Sequence, residues 1–371
     1  MAAIYDQMYH QKQRDRFDMN EQWRQYLQHQ GACFGADKDR VDHFGHLDVE
    51  QVAIATGNII TPITGTATIR AVGEDAKTFL QGQLTNDIGL IDRQTSQLSG
   101  YCNPKGRLLA LFRITQDDQG YSLHLPAELT EKTLARLRMF VLMAKVTLEA
   151  TPAEVVRIGV AGDSAASSLG ALFDTIPDKE NGVATVNDAT IIRLPGAAAR
   201  FEIIGDIEAM QAVWQHLSGD LTPVGSEVWQ RLDIEAGLPC VVTETVEMFI
   251  PQMLNLHVID GVSFKKGCYP GQEVVARLHY RGKLKRHMHI AQFSADHCPA
   301  PGTPLYAANE GADGQSIGNI VQASSLPDNQ CLALCVIANE FSVDNGACLQ
   351  GDAKATLKLH DLPCPFPSET E

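Results

Sequence analysis

Residues 264–286 read FKKGCYPGQEVVARLHYRGKLKR. This stretch holds seven Lys or Arg residues and a single acid, Glu273, in a chain of 371 residues whose formal net charge is −15. A basic segment in an acidic chain is expected to attract an anion. Cys268 follows Lys265, Lys266 and a glycine. Because cationic neighbours favour the thiolate over the thiol, this cysteine is a candidate reactive residue.

The same features also have plainer interpretations. A free cysteine is usually a small buried residue without chemistry, and a run of charges is usually a solvated surface. The functional alternatives are a nucleophile, a redox thiol or a transient metal ligand at Cys268, and a site for polyglutamate, phosphate or an RNA backbone on the basic residues. Gly267 and Gly271 would let the backbone turn sharply or approach a ligand closely. The stretch alone leaves these alternatives open.

The composition limits the class of protein. With 44% hydrophobic and 20% charged residues, the chain is expected to build packed cores. Its acidic balance disfavours duplex DNA as a partner, and the absence of a run of about 20 apolar residues disfavours a membrane span. The nine cysteines are scattered without a CxxC pair. We therefore predict a cytoplasmic protein with reduced thiols, no disulfide framework and no bound metal.

Sequence patterns divide the chain into several units. Residues 6–28 carry a loose apolar stripe that predicts a helix, and residues 31–45 are typical of a mobile linker. Between 155 and 217 the order strand, helix, strand, strand, helix is typical of a ferredoxin-like half-domain. Short strands separated by Pro, Gly, Asp and Asn between 288 and 359 predict a small antiparallel barrel or sandwich. The segment 362–371 contains three prolines and is predicted to be a flexible tail.

A predicted helix over residues 226–235 carries a second candidate site. Trp229 and Asp233 are four residues apart and share one face of this helix, whereas Arg231 and Glu235 share another. An aromatic ring beside a carboxylate suits a pterin, because the ring can stack on the heterocycle while the carboxylate accepts its amino and ring N–H groups. The plainer interpretation is an amphipathic helix with a surface ion pair.

Several motifs together resemble the signature of the YgfZ folate-binding proteins. The principal one is KKGCYPGQE at 265–273, and Arg277, Gly282, Lys285 and Arg286 follow it at the positions of the signature. The similarity extends to FLQGQLTNDI at 79–88, CNPKG at 102–106, IEAGLP at 234–239 and FIPQMLNL at 249–256. That family is related to the aminomethyltransferase, or T-protein, of the glycine cleavage system.

The resemblance implies an α+β fold in which three domains form a ring around a central hole that holds tetrahydrofolate. Two of these domains would be ferredoxin-like α+β domains, and the third would be a C-terminal β-barrel. The predicted units are a polar, partly helical extension at 1–50, a folate-binding α+β domain formed by 51–150 with 225–286, a ferredoxin-like domain at 151–224, the barrel at 287–361 and the tail at 362–371.

The resemblance also implies a function. Tetrahydrofolate or another folate would be the cofactor, and the protein would support the assembly or repair of iron–sulfur enzymes, including those that methylthiolate tRNA. Iron–sulfur client enzymes would be its partners, with tRNA as a further candidate, and neither membrane nor duplex DNA is expected. The alternatives are a one-carbon transferase with an unknown acceptor and a direct tRNA-binding protein. Residues 105–110 read KGRLLA, without the acid pair of the aminomethyltransferases, so we expect no glycine-cleavage activity.

Individual site residues follow from the motifs. Trp229 matches a family position that contacts folate, Cys268 matches the motif cysteine, and a second folate-side tryptophan of the family would fall near Thr66, where this chain has no ring. Further predicted folate-binding residues are Arg231, Glu235, Lys266, Gln272, Glu273 and Arg277. Predicted anion- or RNA-binding residues are Lys265, Arg281, Lys283, Lys285 and Arg286.

Overall fold

The computed structural model describes residues 19–308, 314–342, 346–349 and 356–363. Within these ranges the α-helices are α1 (Glu21–His29), α2 (Leu47–Thr56), α3 (Ala76–Gln81), α4 (Thr130–Arg138), α5 (Ala165–Leu172), α6 (Ile207–Leu217), α7 (Glu227–Glu235) and α8 (Gln272–Arg281). Short 3₁₀ turns occur at Ile88–Leu90, Ala127–Leu129, Thr243–Thr245, Pro251–Leu254 and Asn339–Phe341. No helix in the described ranges is long and apolar enough to cross a membrane.

The described strands form three large sheets and one small hairpin. They are β1 (Cys33–Phe34), β2 (Val41–His43), β3 (Ile59–Pro62), β4 (Thr66–Val72), β5 (Gln97–Cys102), β6 (Leu108–Gln116), β7 (Gly120–Pro126), β8 (Thr147–Ala150), β9 (Val155–Ala161), β10 (Val183–Val186), β11 (Ala189–Leu194), β12 (Arg200–Asp206), β13 (Thr222–Pro223), β14 (Arg286–Ser294), β15 (Pro304–Ala307), β16 (Gly318–Leu326), β17 (Gln330–Ala338), β18 (Ala347–Leu349) and β19 (Lys358–His360).

The first sheet has the strand order β5-β6-β7-β4-β8, and each neighbouring pair is antiparallel. Alternating apolar residues direct one face of this sheet towards a core that includes Ile69, Phe112 and Leu123. Leu80 of α3 and Leu134 of α4 belong to the same core. The core continues into residues 234–275, which places the KKGCYPGQE motif beside the first sheet.

The second sheet has the order β10-β11-β12-β9-β3-β13. β3 pairs antiparallel with β9, so this sheet includes residues outside the range 151–224 predicted for the ferredoxin-like domain. On its outer side the Trp23 ring of α1 meets the Trp214 ring of α6 edge-on, with 6.2 Å between centroids. Of the predicted helix over 6–28, residues 6–18 lie outside the described part of the chain; α1 begins after Asn20, whose side chain caps it.

The segment 31–45 is not the linker that its polar composition predicted. Cys33–Phe34 and Val41–His43 pair as an antiparallel hairpin. Val41 is fully buried, and the Phe44 ring stacks on Trp214 at 5.5 Å between centroids. These few apolar side chains cover the second sheet and its helices, which accounts for the ordered structure.

The third sheet is antiparallel, with the order β18-β15-β16-β17-β14-β19. A disulfide joins Cys298, in the loop after β14, to Cys331 at the start of β17, with 5.7 Å between their Cα atoms. The prediction that all thiols are reduced is therefore wrong for this pair. The spacing of the cysteines in the sequence could not show it, since the loop meets β17 only in the folded sheet, where Ala295 N donates to Asn329 O.

Helix α7 connects the second sheet to the third. Trp229 packs against β9, while the Gln230 amide donates to the carbonyl of Ala323 on β16. Glu227 accepts a hydrogen bond from the backbone N–H of Ser325. α7 is therefore attached to both sheets. It also forms one wall of the space between the first and second sheets.

Candidate functional site

A cavity of about 160 Å³ lies between the first and second sheets and is bordered by α7. Apolar side chains such as Leu111, Leu125 and Leu194 form much of its lining. Trp229, Thr66 and five basic or acidic side chains also line it: Arg113, His124, Arg157, Glu202 and Asp233. A concave, mostly apolar space with a few converging polar groups is the usual character of a small-molecule site.

Trp229 is held tightly in the cavity wall. Its side chain belongs to a residue that is 5% exposed, and its ring lies against Gly159 of β9. A Cβ atom at position 159 would lie 2.5 Å from Cε3 of the indole, so glycine is required for this approach. The guanidinium carbon of Arg200 is 5.3 Å from the ring centroid, which is cation–π distance. The orientation of the indole is thus fixed from two sides.

Two carboxylates also face the cavity, and each has a guanidinium partner. Asp233 Oδ1 accepts a hydrogen bond of 2.8 Å from Arg200, and Glu202 pairs with Arg157. Burial raises the pKa of Asp233, while the charge of Arg200 opposes that shift. The second terminal nitrogen of Arg200, Nη1, is buried without a hydrogen-bond partner among the described residues. These pairs keep both carboxylates in place, of which Glu202 is 10% exposed and Asp233 is 31% exposed.

A neutral histidine supports the Arg157 guanidinium. Arg157 Nη2 lies 2.8 Å from His124 Nδ1 and 2.6 Å from Thr68 Oγ1. Since a guanidinium can only donate, Nδ1 must accept, and the proton is left on Nε2, which is 3.1 Å from Thr115 Oγ1. Burial, followed by the charge of Arg157, holds the pKa of His124 well below its usual value. The neutral imidazole therefore orients Arg157, and Arg157 orients Glu202.

Arg113 adds a further cation to the cavity wall. Its Nη1 donates to Ser96 Oγ at 3.0 Å and to Asn181 Oδ1 at 2.7 Å, which joins the first sheet to the loop before β10. Burial lowers the pKa of Arg113 to about 10, so the group stays cationic at neutral pH. A ligand in this cavity would meet both positive and negative groups.

The motif cysteine lies on a different surface. Cys268 is exposed and is not among the residues that line the cavity. The Lys266 side chain points inward, and its Nζ donates to the carbonyls of Leu84 at 2.6 Å and Asn86 at 2.8 Å. Burial lowers the pKa of Lys266 to about 8. Lys266 thus anchors the motif to the segment at Leu84 and Asn86, whereas Lys265 is exposed.

The close approach expected at a glycine occurs at Gly271, and its partner is protein. Gly271 has φ of +82°, and a Cβ there would lie 2.5 Å from the carbonyl oxygen of Asn103 and 2.6 Å from the Cα of Gly106. The KKGCYPGQE motif is therefore packed against the CNPKG turn. At Gly267, by contrast, a Cβ would have nothing within 4 Å.

The cavity brings together some of the sequence-predicted residues but not others. Trp229 and Asp233 line it. Arg231 and Glu235 form an ion pair of 2.8 Å on another side of α7, and the exposed pair Arg277 and Glu273 is 2.5 Å apart on α8. Gln272 hydrogen-bonds to the carbonyl of Gly267 at 3.3 Å. None of these, nor Lys266, lines the cavity, and their assignment to a folate site stays a prediction.

Four basic or acidic residues of the cavity were not predicted from the sequence, namely Arg113, His124, Arg157 and Glu202. Each one lies within a largely apolar strand. A charged residue is seldom buried unless it is paired. The positions of Arg157 and Glu202 in largely apolar strands were therefore the feature of the sequence that could have indicated a buried charge pair.

The predicted anion-binding residues lie around α8. Lys265, Arg281, Lys283 and Lys285 are exposed. Arg286 is partly buried and donates to the carbonyl of Ser316 at 3.2 Å. This basic surface is distinct from the lining of the cavity.

Three comparisons with known proteins agree. The family model described as the GCVT N-terminal domain matches residues 8–266. The chain is 32% identical over 297 residues, 80% of this chain and 89% of the relative, to the tRNA-modifying protein YgfZ of Yersinia pestis (strain Pestoides F). The same identity and coverage hold for YgfZ of Yersinia pseudotuberculosis serotype O:3 (strain YPIII).

Among solved structures, the glycine cleavage system aminomethyltransferase T from Bartonella henselae matches with a TM-score of 0.74 at 21% identity. The match covers 91% of this chain and 96% of that one. The predicted fold class, α+β of the aminomethyltransferase type, is confirmed.

Proposed function

The chain belongs to the GCVT-domain family and, within it, to the YgfZ proteins, and on that premise we propose that it is a folate-binding accessory protein for iron–sulfur enzymes. The observation that carries the proposal is the cavity between the first two sheets, which is lined by the Trp229 indole and the carboxylates of Glu202 and Asp233. Tetrahydrofolate or another folate is the proposed ligand, and a cytoplasmic location is part of the proposal.

The chemistry of this cavity suits a pterin. A pterin is flat and carries an amino group beside a ring N–H, and a carboxylate can accept both. Its carbonyl oxygen and ring nitrogens accept hydrogen bonds, which the cavity's guanidinium groups can donate. At about 160 Å³ the cavity is smaller than the roughly 300 Å³ at which sites for whole drug-sized ligands begin. We therefore place only the pterin inside the cavity and the anionic glutamate tail outside it.

The client function rests on a second surface. Relatives at 32% identity are tRNA-modifying proteins by name, and the YgfZ resemblance connects such modification to iron–sulfur enzymes. Cys268 is exposed, so a partner protein can reach its thiol. We propose that folate in the cavity and the Cys268 thiol on the surface serve the same client enzymes.

Calorimetric titration of tetrahydrofolate tests the cavity. Asp233→Asn should weaken binding about tenfold, because a hydrogen bond to a charged group is lost. Glu235→Gln is the matched control on the same helix and should bind as the parent protein does, since Glu235 does not line the cavity. Weaker binding in the Glu235 variant with unchanged binding in the Asp233 variant would move the folate site elsewhere.

Cys268→Ser tests the client function separately. The residue is exposed and outside the cavity, so the variant should keep its fold and its folate affinity. In cells that lack the parent protein it should fail to restore methylthiolated tRNA, measured by mass spectrometry of nucleosides. Cys33→Ser, which alters another exposed thiol, is the control and should restore it. Full restoration by the Cys268 variant would contradict the proposed role of the thiol.

A further inference from the structure

Three rings form a cluster at the C-terminal end of α8. Phe264 and His279 stack face to face, with centroids 3.7 Å apart and planes 7° apart. Tyr280 meets both rings edge-on, at 6.3 Å from Phe264 and 4.7 Å from His279. Phe264 packs against the core of the first sheet, whereas His279 is exposed and Tyr280 is 66% exposed. His279 is thus supported by Phe264, and the Tyr280 ring stands edge-on to both and is presented to solvent.

Cations adjoin these rings in the chain. Lys265 follows Phe264 directly, Arg281 follows Tyr280, and Lys283 lies two residues further on. All three are exposed, and within the described ranges none is paired with an acidic side chain. The one acid of the stretch, Glu273, is already held by Arg277. Positive charge therefore lies beside exposed rings in a chain of net charge −15.

The backbone beneath these groups is fixed. Val275 is the one buried residue of α8, and its carbonyl accepts a hydrogen bond of 2.6 Å from the Gln252 amide. Beyond the helix, the Asn339 side chain donates to Leu284 O at 2.9 Å, and the backbone N–H of Asn339 donates to Lys285 O at 2.9 Å. The backbone that carries the rings and cations is consequently anchored and needs little ordering when a partner binds.

We propose that this α8 surface, formed by Phe264, Lys265, His279, Tyr280, Arg281 and Lys283, binds single-stranded RNA. One unstacked base stacks on the exposed ring of Tyr280, whose plane lies 73° from that of His279, and the neighbouring phosphates lie on the cations. Recognition of single-stranded RNA combines these two features, since bases stack on aromatic side chains while basic groups follow the backbone. An acidic peptide would use the cations but has no base to place on the rings. None of these residues lines the folate cavity, so the inference stands apart from folate binding.

Fluorescence anisotropy with a labelled, unstructured RNA of about 12 nucleotides tests the proposal. The full chain should bind this RNA more tightly than an RNA duplex of the same length. Tyr280→Ala should weaken binding about tenfold, and Tyr280→Phe should keep it, because a base stacks on either ring. Phe140→Ala is the matched control, since Phe140 is another exposed ring, and it should bind as the parent does.

The salt dependence tests the cations. Each phosphate contact on a single strand contributes about 0.7 to the slope of log affinity against log salt, so three contacts predict a slope of about −2. Lys283→Gln should reduce that slope by about 0.7, and Lys132→Gln, which alters an exposed lysine on α4, should leave it unchanged.

Two results would overturn the proposal. One is equal binding of RNA by the parent protein and the folded Tyr280→Ala variant. The other is displacement of the RNA by polyglutamate as effectively as by unlabelled RNA, which would assign the surface to acidic chains. Asp233→Asn should keep the affinity for RNA while its affinity for folate falls about tenfold. The RNA surface and the folate site can therefore fail independently in these experiments.

Discussion

Arg157 is the residue on which the charged wall of the cavity depends. Its Nη1 pairs with Glu202, and its Nη2 donates to His124 and Thr68. The Arg157 side chain is 5% exposed and that of Glu202 is 10% exposed, so water contributes little to either charge. Removing one partner of such a pair costs far more than the intact pair contributes, because the remaining charge stays buried.

Arg157→Leu should therefore lower the free energy of unfolding by about 3–5 kcal/mol, measured by urea denaturation. The control is Arg231→Leu, which breaks the partly exposed pair with Glu235 and should cost less than about 1 kcal/mol. Similar losses in the two variants would contradict the buried, uncompensated Glu202 on which this prediction rests.

At the scale of single elements, α7 has two functional sides. Trp229 and Asp233 face the cavity, whereas Glu227 and Gln230 attach the helix to β16. Glu227 also pairs with Arg40, at 2.8 Å, in the segment between β1 and β2. The position of the cavity wall thus depends on contacts made from the opposite side of the helix.

Glu227 is consequently a positioning residue. Glu227 does not line the cavity, yet Glu227→Ala should weaken folate binding roughly fivefold. The reason is that α7 can shift once the hydrogen bond from Ser325 N–H to Glu227 is lost. Glu227→Gln keeps an acceptor for the Ser325 N–H and should restore most of the affinity, as measured by calorimetry. Glu208→Ala alters an exposed acid on α6 and should have no effect. If the glutamine variant binds no better than the alanine variant, the hydrogen bond does not position the helix.

At the scale of the whole molecule, the parts of the structure differ in how far the sequence could predict them. The motif at 265–273 was long enough to indicate the family, and strand and helix order indicated an α+β chain. β3 joins the second sheet through pairing across about a hundred residues, which no local period reveals. The hairpin at 33–43 lies in a polar stretch with few apolar residues, and their burial against Trp214 depends on tertiary contact.

The candidate site shows the same division. Trp229 and Asp233 share a helical face, so their spacing predicted that they act together. Glu202 and Arg157 lie on neighbouring strands, paired through β9 and β12, and only the register brings them to the cavity. Conversely, Arg231 and Glu235 have the spacing of a functional pair, but the rotation of α7 directs them away from the cavity.

The molecule as a whole should lose stability in mild acid. Burial, followed by the charges of His287 and His279, lowers the pKa of His257 to about 4, and burial followed by His287 lowers that of His289 to about 4. An unfolded histidine has a pKa of about 6.5, so the unfolded chain binds more protons between these values. The stability that the two neutral histidines contribute is complete above about pH 6.5 and is lost as the pH falls towards 4.

Between pH 7 and pH 5 each of these histidines should lower the free energy of unfolding by roughly 2 kcal/mol, measured by urea denaturation at the two pH values. His257→Gln and His289→Gln should each reduce the difference between the two pH values, because glutamine does not titrate. His29→Gln, which alters an exposed histidine on α1, should leave the difference unchanged. An unchanged difference in the His257 and His289 variants would mean that these imidazoles accept protons in the folded state as readily as in the unfolded chain.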